Sequence, residues 1–261
     1  MKILNWNIWI DNPSQIINLK TLIDKYNPEI ICIQEASEKT LEFCRLLTEY
    51  HFAFCIDFAR PIHRIKPSLF NKPSSISYLI TLSKYPILET QIDLLHTQKP
   101  NTLLAKSKGI NNPREFQYID IVKNNQKYRI FNLHLEMAAG SKRRISEFQR
   151  ALEYFDPTKN NIICGDLNIF ARPTLNLLTG WGLGLSIREY FVNERRAFQK
   201  IFDQYEFNNI FRRRVTYPKF RLQLDHILIP KKFKIIGKDI PKNLLDSDHR
   251  YLVCEIESVA V

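Results

Sequence analysis

Short apolar runs of strand length recur from one end of the chain to the other, separated by segments whose apolar residues follow helical spacing. "KILNWNIWI", "PEIICIQE", "NNIICGD", "LQLDHILI" and "YLVCEIE" are the clearest of the runs. Asn12 offers a cap and Pro13 a first helical position before "SQIINLKTLIDKY", and Ser37 can cap "EKTLEFCRLLTEY". The opening therefore reads strand, helix, strand, helix. In the middle, "SSISYLITLSKYPI" and "REFQYIDIVKNNQKYRIFNLHLE", with an Asn124-Asn125 turn, predict antiparallel strands joined by hairpins. In "SKRRISEFQRALEYF", Ile145, Phe148, Leu152 and Phe155 share one helical face, with Arg143, Arg144 and Arg150 largely elsewhere. A further helical pattern near residues 193–206 precedes the last strands. No fixed repeat, low-complexity tract or Pro/Gly/Ser-rich linker divides the 261 residues. These patterns predict one α/β domain over 1–261, its strands forming a two-layer core with helices outside.

Composition narrows the partners. Lys and Arg number 38 against 27 acids, a formal charge of +11. Such an excess attracts nucleic acid, an anionic membrane surface or a phosphorylated metabolite. The 44% hydrophobic and 25% charged content excludes a disordered or fibrous chain. Of five cysteines, Cys32, Cys164 and Cys254 lie inside apolar runs, and no CxxC spacing occurs. That usage fits a reducing compartment and no structural zinc. Asn5, Asn7 and Asp11 interrupt the start where a signal peptide needs a continuous apolar stretch, and no run reaches transmembrane length. A cytoplasmic monomer is the expectation.

Polar residues recur near the ends of the strand runs. Asn5 and Asn7, Asn132 and His134, and Asp166 and Asn168 are pairs two apart, which share a face of an extended chain. Glu35 ends "IICIQE", Asp225 and His226 interrupt "LQLDHILI", and "SDH" at 247–249 precedes the last strand. Singly, each reads as a surface residue or a satisfied hydrogen bonder. Together, carboxylates, amides and histidines at strand termini of one α/β domain can converge on one cleft. An oxygen-rich set suits Mg²⁺ or Mn²⁺ better than zinc, and a hard cation among carboxylates and histidines points to phosphoryl chemistry.

The ordered set "WN" at 6–7, "IQE" at 33–35, "LSKYPI" at 82–87, "FNLHLE" at 131–136, "CGDLN" at 164–168, "LDHIL" at 224–228 and "SDH" at 247–249 resembles the endonuclease/exonuclease/phosphatase superfamily. The resemblance spans nearly the whole chain. It implies a four-layer α/β/β/α sandwich, two packed mixed sheets with helices outside, and a metal-dependent phosphoesterase site at one edge of the sheets. Residue by residue, it implies Glu35 as chief metal ligand, Asn7 lining the metal–phosphate site and Asp248 as a metal-site or supporting carboxylate. His134 would bind phosphate or act as an acid, and Asp166 would orient and activate the attacking water. Asn168 would hydrogen-bond phosphoryl oxygens, and His249 would bind phosphate, positioned by Asp225. Many members that act on DNA carry Asp two residues after the first Asn, where this chain has Trp9.

Two further features bear on the substrate. "FRRRVTYPKFRLQLD" interleaves Arg212, Arg213, Arg214, Lys219 and Arg221 with Phe211, Tyr217 and Phe220, as a run that tracks a phosphodiester backbone and stacks bases would, or as a solvated basic loop would. Trp181 in "GWGLG" reads either as a core residue at a tight turn or as part of a loop over the cleft. No apolar hairpin of the kind that inserts into a membrane is evident. The reading is a Mg²⁺-dependent phosphodiesterase that hydrolyses by in-line attack of water, with nucleic acid, DNA or RNA, as substrate. The alternatives are a phospholipid or phosphoinositide substrate, and a catalytically inactive nucleic-acid-binding module.

Overall fold

Both faces of the strand runs are apolar, so each strand needs cover on two sides. The computed structural model describes residues 1–60, 75–108, 110, 112–170, 173–182 and 185–258, and shows what provides that cover. β1 (Lys2–Asn7), α1 (Gln15–Tyr26), β2 (Ile30–Ala36) and α2 (Glu38–Arg45) open the chain. β3 (His51–Arg60), β4 (Ser75–Ser83), β5 (Ile87–Leu94), α3 (Leu103–Lys108), β6 (Glu115–Lys123) and β7 (Gln126–His134) follow. Next come α4 (Ser141–Leu152), β8 (Asn160–Asp166), α5 (Pro173–Thr179), α6 (Ile187–Tyr190) and α7 (Glu194–Gln204). β9 (Phe207–Asn209), β10 (Asp225–Pro230), β11 (Phe233–Asp239) and β12 (Leu252–Ser258) complete the described elements.

The strands form two six-stranded sheets, ordered β11-β12-β1-β2-β4-β3 and β5-β6-β7-β8-β10-β9. β1–β2 and β7–β8 run parallel and their neighbours antiparallel, so both sheets are mixed. Ile3, Cys32 and Leu252 of the first sheet pack against Ile130, Cys164 and Ile227 of the second. The outer face of the first sheet, with Leu4, Ile31 and Ile33, is covered by Leu19 and Leu22 of α1 and Leu41 of α2. On the second, Phe131, Ile163 and Leu228 meet Phe148 of α4 and Phe198 and Phe202 of α7. Helices thus lie outside two packed sheets, as expected.

Local readings hold with three corrections. Ser37 caps α2, its Oγ accepting from Thr40 N at 3.3 Å. α1 begins at Gln15 rather than Pro13, because Asn12 braces the preceding turn: its Oδ1 accepts from Ser14 N at 2.8 Å and its Nδ2 donates to the Ile8 and Leu245 carbonyls. Arg144 does not lie on the solvated side of α4. It is fully buried, where Glu194 neutralises it. Trp181 is not core but 71% exposed, while Leu183 and Gly184 of the same stretch lie outside the described residues. Leu177, Leu178, Ile187 and Phe191 are also exposed around α5 and α6, so the chain shows apolar surface that its sequence did not advertise. All five cysteines are buried and free, and among the described residues no helix is long and apolar enough to cross a membrane.

Candidate active site

Strand register alone gathers half of the site. Across the second sheet, His134 of β7 pairs with Asp166 of β8, and Asp166 pairs with Asp225 of β10, so the three stand in one row at the strand ends. The row needs β7 and β8 very close one residue earlier. Gly165 has φ 151°, and a Cβ there would lie 1.9 Å from the Leu133 carbonyl oxygen. That explains the glycine before Asp166.

The first sheet contributes Asn7, the last residue of β1, and Glu35 of β2. Simple alternation would send Glu35 to the outer, helix-covered face with Ile31 and Ile33. A register shift between Ile33 and Ala36 against β4, with Glu35 at φ 57°, turns the carboxylate toward the second sheet and gives the outer position to Ala36. Asn7 Nδ2 then bridges two carboxylates, donating to Glu35 Oε1 at 3.2 Å and Asp166 Oδ2 at 3.0 Å. Asn7 Oδ1 accepts from Trp9 N at 3.1 Å, so it is the amide nitrogen that faces the carboxylates.

His249 arrives on the segment before β12. Its Nδ1 lies 2.8 Å from Asp225 Oδ2, which leaves Nε2 facing Asp166 Oδ2 and Asp248 Oδ1, each at 3.8 Å. Its backbone is held by Ser247, whose Oγ accepts from His249 N at 3.0 Å and donates to the Asn7 carbonyl at 2.8 Å. Burial opposes a charge on His249, yet Asp225, Asp166 and Asp248 together raise its pKa to about 10. Burial also raises the Asp248 carboxyl above its ordinary range, reinforced by Glu35 and Asp166 and opposed by His249. Asp225, Asp166 and His249 offer ligand atoms within 4.8 Å of one another.

His134 is held by residues that sequence reasoning missed. Its Nδ1 is 2.7 Å from Asp57 Oδ2, and Nε2 is 3.6 Å from Asp166 Oδ2. Arg114 pairs with Asp57 and, at 3.2 Å, with Glu136, all of them buried. Burial and Arg114 disfavour protonation of His134, but Asp57 and Asp166 outweigh them and raise its pKa. Burial acts to raise the Asp57 carboxyl, but His134 and Arg114 hold it below its usual range. Asp57 carried the same signal as Asp225, an acid inside a strand run, in "HFAFCIDFAR". Tyr217 was likewise missed as a site neighbour, and its ring lies 4.9 Å from that of His249.

Of the other candidates, Asn168 borders this cluster and the rest separate from it. Asn5 and Asn132 lie one step deeper between the sheets, where Gln34 Nε2 donates to both side-chain oxygens, at 2.9 and 2.8 Å. They tie the sheets together beneath the site. Asn168, at φ 48°, donates to the Leu135 carbonyl at 3.0 Å, and its N–H is accepted by Asp166 Oδ1 at 3.0 Å. His226 faces the opposite side of β10 from Asp225, toward Phe202 of α7. The basic run divides: Arg212 and Arg213 line a cavity beside His226, whereas Arg214 lines a hollow with Lys238 and Arg250. Lys219, Phe220 and Arg221 are exposed on the turn after Tyr217.

The donors fit a hard divalent cation. Asn7 ties the Glu35 carboxylate to that of Asp166, and Asp166 and Asp248 both face His249 Nε2, an oxygen-rich grouping of the kind a hard cation takes. Asp225 is committed to His249, which argues for a supporting rather than a ligating part.

The model of the Endonuclease/Exonuclease/phosphatase family matches residues 4–249. An endonuclease/exonuclease/phosphatase from Beutenbergia cavernae DSM 12333 superposes with a TM-score of 0.71 at 14% identity, over 99% of this chain and 71% of that one. D. rerio TDP2 complexed with single strand DNA product gives 0.60 at 15%, over 99% of each chain. A mannosyl-6-phosphatase of Bacteroides thetaiotaomicron VPI-5482 gives 0.60 at 14%, over 98% of this chain and 99% of that one. At these identities the likeness is one of fold. Among curated proteins, none matches.

Proposed function

Because the chain belongs to the Endonuclease/Exonuclease/phosphatase family, whose members are generally metal-dependent phosphoester hydrolases, we propose that it is a Mg²⁺- or Mn²⁺-dependent phosphodiesterase acting on nucleic acid. The observation that carries the reading is the convergence of Asp166, Asp225 and His249 within 4.8 Å, with Glu35 tied to Asp166 through Asn7. Glu35, with Asp166 and Asp248 beside it, would hold the cation. When bound, the cation neutralises phosphoryl oxygens. Asp166 orients the attacking water and takes its proton, while His249, held by Asp225, donates to a phosphoryl oxygen. Asn168 uses its remaining amide hydrogen in the same way, and His134, fixed by Asp57, takes the opposite side of Asp166.

Nucleic acid is favoured by the turn beside the site. Tyr217 packs on His249, and the exposed Lys219, Phe220 and Arg221 continue outward from it, offering charge for a backbone and a ring for a base. Replacing Lys219 and Arg221 by Gln is expected to weaken oligonucleotide binding and to reduce the slope of log K against log salt by roughly one unit per lost contact. Titration over a salt series reads both, and an unchanged slope removes the turn from the interface.

One observation favours a lipid substrate instead: the exposed Leu177, Leu178, Trp181, Ile187 and Phe191. Incubating purified protein and Mg²⁺ with single- and double-stranded DNA, RNA and phosphoinositide vesicles separates the readings. Oligonucleotide cleavage that EDTA abolishes is expected. Cleavage of lipid alone overturns the nucleic-acid assignment, and turnover of nothing across the panel leaves the inactive binding module. In the same assay, Glu35→Gln is expected to raise the Mg²⁺ concentration for half-maximal activity by about tenfold or more, with the thermal midpoint nearly unchanged. An unaltered metal requirement takes Glu35 out of the metal site.

A further inference from the structure

A cavity of about 380 Å³ lies on the far side of β10 from the catalytic cluster, between that strand, β9 and the first turns of α7. Asp225 and His226 are neighbours on β10 that face opposite sides, so the cavity and the cluster stand back to back across the second sheet. Four arginines line it: Arg195 and Arg196 from α7, Arg212 and Arg213 from the segment after β9. No carboxylate is among the described lining residues. Arg196, Arg212 and Arg213 make no ion pair with a described carboxylate. Glu194, the acid in the first turn of α7, is turned away and bound to Arg144. The positive end of an 11-residue helix therefore adds to the arginines rather than cancelling them.

Hydrogen bonds in the cavity wall assign a proton. Arg213 N donates to Gln223 Oε1 at 2.8 Å, which fixes the Gln223 amide with its nitrogen toward Asn209 Oδ1, 3.3 Å away, and His226 Nδ1, also 3.3 Å away. Asn209 is oriented in turn, its Nδ2 3.0 Å from the same His226 Nδ1. Facing two N–H donors, Nδ1 is an acceptor, so Nε2 carries the hydrogen. His226 is buried, and its Nε2 has no partner among the described residues. The cavity thus gathers Arg196, Arg212 and Arg213, which have no described carboxylate partner, at the positive end of α7, a set that suits an anionic, oxygen-bearing ligand.

We propose that this cavity is a second anion site that binds a phosphoryl group. Its volume lies in the range of small-molecule sites, roughly 300–1,000 Å³. The guanidinium forks take the phosphoryl oxygens. The phosphoryl group belongs either to a free phosphomonoester or to a phosphodiester chain. The proposal stands independently of the catalytic reading, because none of its residues lies in the Asp166, Asp225 and His249 cluster.

Titration calorimetry of the full chain in EDTA tests it, with inorganic phosphate, AMP and a short oligothymidylate as probes. The variants are Arg196→Gln/Arg212→Gln, both exposed positions that leave the core intact, and His249→Ala. Phosphate affinity is expected to fall by about tenfold or more in the arginine variant and to persist in His249→Ala. AMP losing affinity with phosphate assigns the free monoester, and oligothymidylate doing so assigns the chain. Phosphate binding that is unchanged in the arginine variant, or that disappears in His249→Ala, overturns the second site.

Discussion

His249→Ala is expected to lower kcat for phosphodiester hydrolysis by about 10²–10³-fold, with little change in KM. His249 is held at its ring and at both backbone polar groups. Asp225 holds Nδ1 at 2.8 Å, Ser247 accepts from its backbone N–H, and Trp6 Nε1 donates to its carbonyl at 3.4 Å. Thr216 Oγ1 fixes Asp225 in turn, accepting from its backbone N–H at 3.0 Å. A group so restrained needs no reorganisation when charge develops on the phosphoryl oxygens, and for that reason its loss falls on the transition state rather than on substrate binding. Asp166→Asn is expected to cause a loss of the same order, because the amide cannot take the proton of the attacking water. Asp225→Asn keeps a partner for Nδ1 and removes only its charge, so an intermediate loss is expected. Single-turnover rates in Mg²⁺, beside oligonucleotide binding in EDTA, separate chemistry from binding. Near-normal kcat in His249→Ala or Asp166→Asn would sink the catalytic assignment.

The layered fold was legible because strand runs apolar on both faces must be covered twice, and the helical segments between them supply the cover. Most of the candidate cluster was legible for a related reason: Asp166, Asp225 and His249 interrupt or border runs that are otherwise buried. What sequence could not disclose was direction. Asp225 and His226 carry the same signal one residue apart, yet β10 sends them to opposite sides of the sheet. Asn132 and His134 share a face, but Asn132 lies one step deeper and meets Gln34 instead of the site. Glu35 reaches the cluster only through a local register shift, which no periodicity shows. Asp57 and Arg114 escaped notice because their meaning lies in a long-range pair between β3 and the residue before β6. The basic run read as one feature in sequence and is divided by the fold between a turn beside His249, a cavity behind β10 and a hollow at Arg250.

Arg144→Met is expected to destabilise the fold by about 3–5 kcal/mol, the usual effect of leaving one member of a buried ion pair alone. Arg144 and Glu194 are both 0% exposed, and the pair is bidentate: Nε to Oε1 at 2.7 Å and the second guanidinium nitrogen to Oε2 at 3.2 Å. The remaining nitrogen donates to the carbonyls of Glu136 and Ala139, and the guanidinium lies 4.2 Å from the centre of the Phe170 ring. One side chain therefore joins α4, the segment after β7 and the start of α7. Glu194 Oε2 also accepts from Phe170 N at 3.1 Å, two residues beyond Asn168, so the pair anchors the chain that leaves the row of His134, Asp166 and Asp225. Arg144→Lys keeps the charge and loses the fork, and a smaller destabilisation is expected. Arg144→Met with Glu194→Met removes both charges and is expected to recover much of the loss, because no buried carboxylate is left unpaired. Urea unfolding of the three variants measures the differences at constant m-value. A loss below about 1 kcal/mol in Arg144→Met would place the pair in the range of solvated ion pairs and contradict its burial. A double variant no more stable than the single would show that packing around Phe170, rather than the stranded charge, sets the penalty.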